Sequence, residues 1–201
     1  MNRYCLIFSV AALFLCSAIP TFGSSNLLVD IKNGETLSIK KLDLETDIKV
    51  DGHLDEPLWR SLPAYDEFIV TTPETLGEVP HATLVRLAYY DQGFYVGVDL
   101  KQSKETLMNR LSGRDQRDIR RDTVSVTLDT SGEGRYGYWF SVSLGDSLQD
   151  GTVLPESKFS SDWDGAWYGA SQQTDTGWTL SLIHISEPTR PERLAYAVVC
   201  V

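Results

Sequence analysis

Apolar residues recur at every second position in several short stretches of this chain, which is the period of a strand and not of a helix. Phe94, Val96, Val98 and Leu100 share one face, as do Val124, Val126 and Leu128. Over 136–144, Tyr136, Tyr138, Phe140, Val142 and Leu144 point one way, and Trp139, Ser141 and Ser143 the other. Turn residues separate the stretches. Asp91-Gln92-Gly93 divides 83–90 from 94–100, a Gly-rich loop over 131–135 divides 123–129 from 136–144, and Asp175-Thr176-Gly177 closes a hairpin begun at 166–173. Short strands with one apolar face each must bury those faces against one another. With few helices and no internal repeat, the expected fold is all-β, an antiparallel β-sandwich (jelly-roll-like) with short helical turns, one of them over 103–111.

Ahead of these strands, 47–59 reads as a strand, a turn and a helical turn. Ile48 and Val50 alternate with polar neighbours and Asp51-Gly52 turns the chain. Asp55 is placed to cap a short helix with Glu56 and Pro57 in its first turn and Leu58, Trp59 and Leu62 on its apolar face. An edge strand is expected at Leu42-Asp43-Leu44, and Pro63, Pro73 and Pro80 punctuate the irregular stretch after the helix. The segments 47–59, 88–97 and 121–129, in that order, resemble the three core signatures of family 9-like carbohydrate-binding domains. Asp162-Trp163-Asp164-Gly165-Ala166-Trp167 and Thr176-Gly177-Trp178-Thr179 most resemble the version found at the N-terminus of large bacterial outer-membrane-associated proteins, ahead of a β-barrel. These matches span about 45–179, preceded by a linker and edge segment over 24–44.

Both ends read differently. Arg3 followed by an uncharged apolar run over 5–18, then small and turn residues at 20–25, has the layout of a secretory signal peptide, with cleavage expected after Gly23. The run falls short of the roughly 20 apolar residues a membrane span needs. At the other end, 180–190 resembles the conceptual translation of a transposase-end adapter used in sequencing libraries, and 194–201 a slightly miscalled read of the flow-cell end that follows it. Residues 180–201 are therefore expected to be a non-native tail, although Leu180-Ser181-Leu182-Ile183 alternates as a strand does.

Removing Arg3, Arg190, Arg193, Glu187 and Glu192 from 18 basic and 28 acidic residues leaves 15 and 26, a net charge near −11. So acidic a chain disfavours nucleic acid and anionic membranes as partners. Cys5, Cys16 and Cys200 all lie in the excluded ends, which leaves 24–179 without a disulfide framework, a thiolate metal site or a cysteine nucleophile.

No catalytic constellation stands out. His53 and His81 lack metal-ligand spacing, and the pairs Asp55-Glu56 and Asp162 with Asp164 sit in turn-like contexts where Asp commonly caps. Aromatic residues are the better candidates, because sugar rings present apolar C–H faces that stack on indole and phenol rings. The candidate carbohydrate contacts are Trp139, Trp163, Trp167 and Tyr168, with Arg114 and Arg117 from the mixed-charge run 110–122 as hydrogen-bond donors to hydroxyls. Core packing for the Trp residues and a self-paired loop for the arginines are the plainer alternatives. In sugar-binding members of the family that the chain resembles, one Trp of an aromatic sandwich stands three positions before the Asp that begins the third-signature strand, Asp122 here, and that position is Ile119. The resemblance also admits calcium, for which Asp129, Ser131, Glu133 and Asp146 offer oxygens without a recognisable calcium-loop spacing, so metal is left unassigned and no cofactor is expected.

The reading is a non-catalytic carbohydrate-binding module, with poly- or oligosaccharide as partner, at the N-terminus of a larger exported protein of the bacterial periplasm, outer membrane or cell surface. Its other expected partner is the missing C-terminal portion of its own chain, an outer-membrane β-barrel. A structural or docking domain for that barrel with no sugar binding, and an accessory module of a secreted glycoside hydrolase, are the alternatives.

Overall fold

A computed structural model describes residues 3–9, 27–31, 36–43, 48–72, 78–90, 93–116, 119–129, 135–155, 158–185 and 196–200. The first half of the chain forms β1 (Arg3–Ser9), β2 (Leu27–Ile31), β3 (Thr36–Lys41), α1 (Pro57–Ser61), β4 (Ile69–Thr72), β5 (Thr83–Tyr90) and β6 (Gly93–Lys101). After a 3₁₀ turn at Lys104–Thr106 come β7 (Thr123–Asp129), β8 (Gly137–Ser143), β9 (Leu148–Leu154), β10 (Lys158–Ser160), β11 (Trp167–Thr174), β12 (Gly177–Ile185) and β13 (Tyr196–Cys200).

The order β10-β9-β8-β7 makes one layer and β3-β5-β6-β12-β11 the other, while β13, β1 and β2 carry the pairing from β7 round to β3. Every pair is antiparallel except the short contact of β3 with β5. The fold is the expected all-β antiparallel sandwich. Its core is built from the alternations read in the sequence: Phe94, Val96, Val98 and Leu100 from β6 meet Val124, Val126 and Leu128 from β7 and Phe140 and Val142 from β8. Trp178, Leu180 and Leu182 of β12 join them from the centre of the second layer. The chain therefore does not leave the sheet at Thr179, because the alternation of 180–183 lets β12 run on between β6 and β11 to Ile185.

A second, smaller core lies on the outer face of the β5-β6 layer, where Leu42, Ile48, Trp59 and Leu62 pack with Ala88. The strand-turn-helix segment is thus a cap. Its Trp59 is fully buried above Gly97, where a Cβ would stand 2.7 Å from the indole Cζ3, so a glycine in β6 is what lets the ring lie flat on the sheet. Two hydrogen bonds pin the turn, Gly52 N–H to Ser181 Oγ at 3.0 Å and Thr179 Oγ1–H to the Gly52 carbonyl at 2.7 Å.

Four local expectations change. The residue flanking α1 is Glu56, with no side-chain cap bond, because its Oε1 accepts from Lys49 N–H at 3.0 Å; Asp55 does not cap the helix. The helical stretch over 103–111 reduces to the Lys104–Thr106 turn, since the Asp122 carboxylate accepts from Met108 N–H at 2.8 Å and draws the chain out of a helical path. The edge strand ends at Lys41, with Leu42 buried just beyond it and Leu44 outside the described residues. Strands β9 and β10 were not read from the sequence at all, because Asp150-Gly151 looks like a turn. Among the described residues no helix is long and apolar enough to cross a membrane.

Candidate functional site

Strand alternation decides which of the nominated aromatic rings can meet a ligand. In β11, Trp167 points into the sandwich, 4% exposed, with its ring 5.3 Å from Phe140, while the next residue, Tyr168, points out and is 64% exposed. Trp139 is on the outer face of β8, as its place next to the inward-facing Phe140 requires, yet it is only 6% exposed. Its indole N–H donates to the Ser160 carbonyl at 3.1 Å, and Phe159 of β10 meets it edge-on at 6.3 Å. Gly151 of β9 makes the room, since a Cβ there would lie 2.8 Å from that same nitrogen. Trp163, in the crossover from β10 to β11, is half-buried against Tyr138 at 4.6 Å and Phe140 at 6.0 Å. Trp139 and Trp167 consequently have no face to offer a sugar ring. Trp163 and Tyr168 keep open surface.

Arg114 is the anchor of a carboxylate cage. Its Nη2 donates to Asp150 Oδ1 at 2.7 Å and its Nε to Asp164 Oδ1 at 3.2 Å, and Asp115 Oδ2 lies 3.7 Å from Nε. Asp150 has no solvent-exposed side-chain surface, whereas Arg114 is 42% exposed. The second oxygen of Asp150 accepts from Gly165 N–H at 2.8 Å, next to Trp163. The three carboxylates are near enough to one another to share a cation, and the cation they share is the guanidinium. Arg114 thus ties loop 110–116 and the Trp163 crossover to β9 through its Nε and Nη2 donors. Arg117 lies outside the described residues.

The remaining charged candidates are absorbed locally. Asp162 Oδ2 accepts from Ser160 Oγ at 2.9 Å, a turn contact. Asp129 ends β7, whereas Asp146 sits in the turn after β8 that lies beside the start of that strand, so the possible calcium oxygens are at opposite ends of the layer; Ser131 and Glu133 lie outside the described residues. Ile119 is half-buried. Burial lowers the pKa of His184, packed 4.8 Å from Phe140, to about 4. Sequence reading missed Asp150, which carries no local signal: it is a buried acid within a strand, and only the fold brings Arg114 to it.

The two-layer antiparallel sandwich with aromatic residues at its side places the chain among β-sandwich domains. No protein-family model matches the chain, and no curated protein matches it in sequence. Among solved structures, it is similar to a carbohydrate-binding module of family 9 from Caldicellulosiruptor kristjanssonii in complex with cellotriose, with a TM-score of 0.52 and 10% identity over 77% of this chain and 80% of that one. It is also similar to a candidate carbohydrate-binding protein from Bacteroides uniformis, with a TM-score of 0.54 and 12% identity over 75% of this chain and 72% of that one. The protein has the fold of the family 9 modules.

Proposed function

We propose that this chain is a non-catalytic carbohydrate-binding module acting on poly- or oligosaccharides in a larger exported bacterial protein. The observation that carries the proposal is the fold, shared over most of both chains with a module solved with cellotriose. Of the nominated rings, Trp163, beside the Arg114 cage, and the exposed Tyr168 keep open surface, so they take over from Trp139 and Trp167 as the expected stacking residues. With Ile119 where the aromatic sandwich has a Trp, affinity is expected in the micromolar to millimolar range. Titration calorimetry against xylan, cellulose and glucan oligomers tests this: binding lost in Trp163→Ala and Tyr168→Ala supports it, and binding unchanged in both refutes the site. The burial of Trp139 and Trp167 favours the second reading, a docking domain for an outer-membrane barrel, which gains if no glycan binds. In the same reading 1–23 is a leader and 180–201 adapter-derived, standing where a native strand of like alternation belongs. Resequencing the gene tests this directly, and a continuous genomic frame through Ile183 and Arg190 refutes it.

A further inference from the structure

The cap covers only part of the outer face of the β5-β6-β12-β11 layer. Next to it runs a row in which Ala88 of β5 stands opposite Tyr95 of β6, Tyr95 opposite Ile183 of β12, and Ile183 opposite Tyr168 of β11. Their chain neighbours Phe94, Val96, Leu182 and Trp167 point into the sandwich, so alternation turns this row outward. Tyr90 joins the row at its β5 end. It stands opposite Gly93, where a Cβ would run into the Tyr90 ring, so that ring lies over β6, 5.5 Å from the ring of Tyr95. Tyr168 is 64% exposed, whereas Tyr90 and Tyr95 are half-buried against the flank of the cap. Trp163 is not part of this strip, because its ring packs on Tyr138 and Phe140 at the core between the layers.

Spacing and charge decide what fits such a strip. Neighbouring strands lie about 4.8 Å apart, so Tyr95 and Tyr168, with β12 between them, rise from backbones roughly 10 Å apart. In an extended β-1,4-linked sugar chain each ring is turned over relative to the next, so alternate rings, separated by a comparable distance, show the same apolar face. Tyr90, Tyr95, Ile183 and Tyr168 are all uncharged, as are Ala88 and Gly93 among them, within a chain of formal net charge −10. An anionic polysaccharide is repelled by such a protein, and a neutral one is not.

We propose that this strip binds a neutral, extended β-1,4-linked glycan laid across the strands, with alternate sugar rings on Tyr168 and Tyr95 and the chain running on towards Tyr90. Stacking of apolar sugar faces on the phenol rings supplies the contact. The proposal rests on the carbohydrate-binding reading and names its ligand, giving Tyr168 the company of Tyr95 and Tyr90. All three tyrosines fall within 24–179, so the strip keeps its rings whichever residue stands at position 183.

The test is titration calorimetry of the full chain with cellobiose and cellohexaose, with xylobiose and xylohexaose, and with oligogalacturonate as the anionic control. In at least one neutral series the affinity should rise from the disaccharide to the hexasaccharide, because only the longer chain reaches both Tyr168 and Tyr95, and oligogalacturonate should not bind. Tyr168→Ala should weaken the hexasaccharide several-fold, and Tyr168→Phe should leave it nearly unchanged. Tyr95→Leu, which keeps apolar volume against the cap, should weaken it likewise, and both losses should remove the gain with chain length. Thermal melts establish that each variant is folded. Affinity independent of chain length, hexasaccharide binding untouched by both Tyr168→Ala and Tyr95→Leu, or a preference for oligogalacturonate overturns the proposal. So does a concentration-dependent dimer, seen by sedimentation, that Tyr168→Ala dissolves, for then a second copy covers the strip. No binding by either neutral series overturns the strip as well, whereas binding of another glycan that is lost only in Trp163→Ala leaves the carbohydrate-binding reading standing without it.

Discussion

Arg114→Ala is expected to destabilise the protein through a residue 36 positions away. The substitution strips Asp150 Oδ1 of its 2.7 Å partner, and Asp150 has no exposed side-chain surface through which water could replace it. Removing one partner of a fully buried ion pair costs about 3–5 kcal/mol. Arg114 is 42% exposed, so solvent screens part of the interaction, and Gly165 N–H still holds the other carboxylate oxygen at 2.8 Å. Both reduce the expected loss to about 2 kcal/mol. Asp150→Asn keeps the shape and removes the charge, leaving Arg114 with Asp164 and Asp115 at the surface, and about 1 kcal/mol is expected. Once the carboxylate is neutral, losing the arginine matters less, so the double variant should cost less than the sum of the two, with a coupling of about 1 kcal/mol or more. Urea unfolding followed by tryptophan fluorescence measures all three. Additivity within about 0.5 kcal/mol would mean that the pair is not coupled and that the cage is a surface feature only.

Trp59→Ala empties a fully buried site in the cap, and urea unfolding should register a loss of about 3–5 kcal/mol; a loss below about 1 would show that the cap does not stabilise the sandwich. Gly97→Ala drives a methyl to within 2.7 Å of the Trp59 ring and 2.9 Å of Leu54 Cδ2, so a loss of about 1–3 kcal/mol is expected by the same measurement, and a neutral effect would mean that the ring can slide. For the chain as written, His184 is neutral when folded, with its pKa lowered from 6.5 to about 4. The unfolded chain takes up that proton first as pH falls, so stability is untouched above pH 6.5, declines below it by about 1.4 kcal/mol per pH unit, and levels off near pH 4. His184→Gln should flatten this component, and a pH profile identical in the two proteins would contradict the burial.

Alternation is enough to assign the inward faces of β6, β7 and β8, because a strand of period two offers only two faces and one of them carries the aliphatic residues together with Phe94 and Phe140. The family resemblance puts Trp59 and Trp178 at signature positions that begin and close the domain, which makes both structural residues, and both are fully buried. Alternation says which side of a strand a residue is on, and nothing about what covers that side. Trp139 was correctly assigned to the outer face of β8, yet β10, which pairs with β9, brings Phe159 and the Ser160 carbonyl over it and closes it off. Arg114, Asp115, Asp150 and Asp164 meet only because a loop, a strand and a crossover converge on one side of the sandwich. Tyr90, Tyr95 and Tyr168 likewise lie on three different strands, each on the outward face of its own. What joins them is the pairing of β5, β6, β12 and β11, contacts between residues as far apart as Tyr95 and Ile183, to which a period read along the chain is blind.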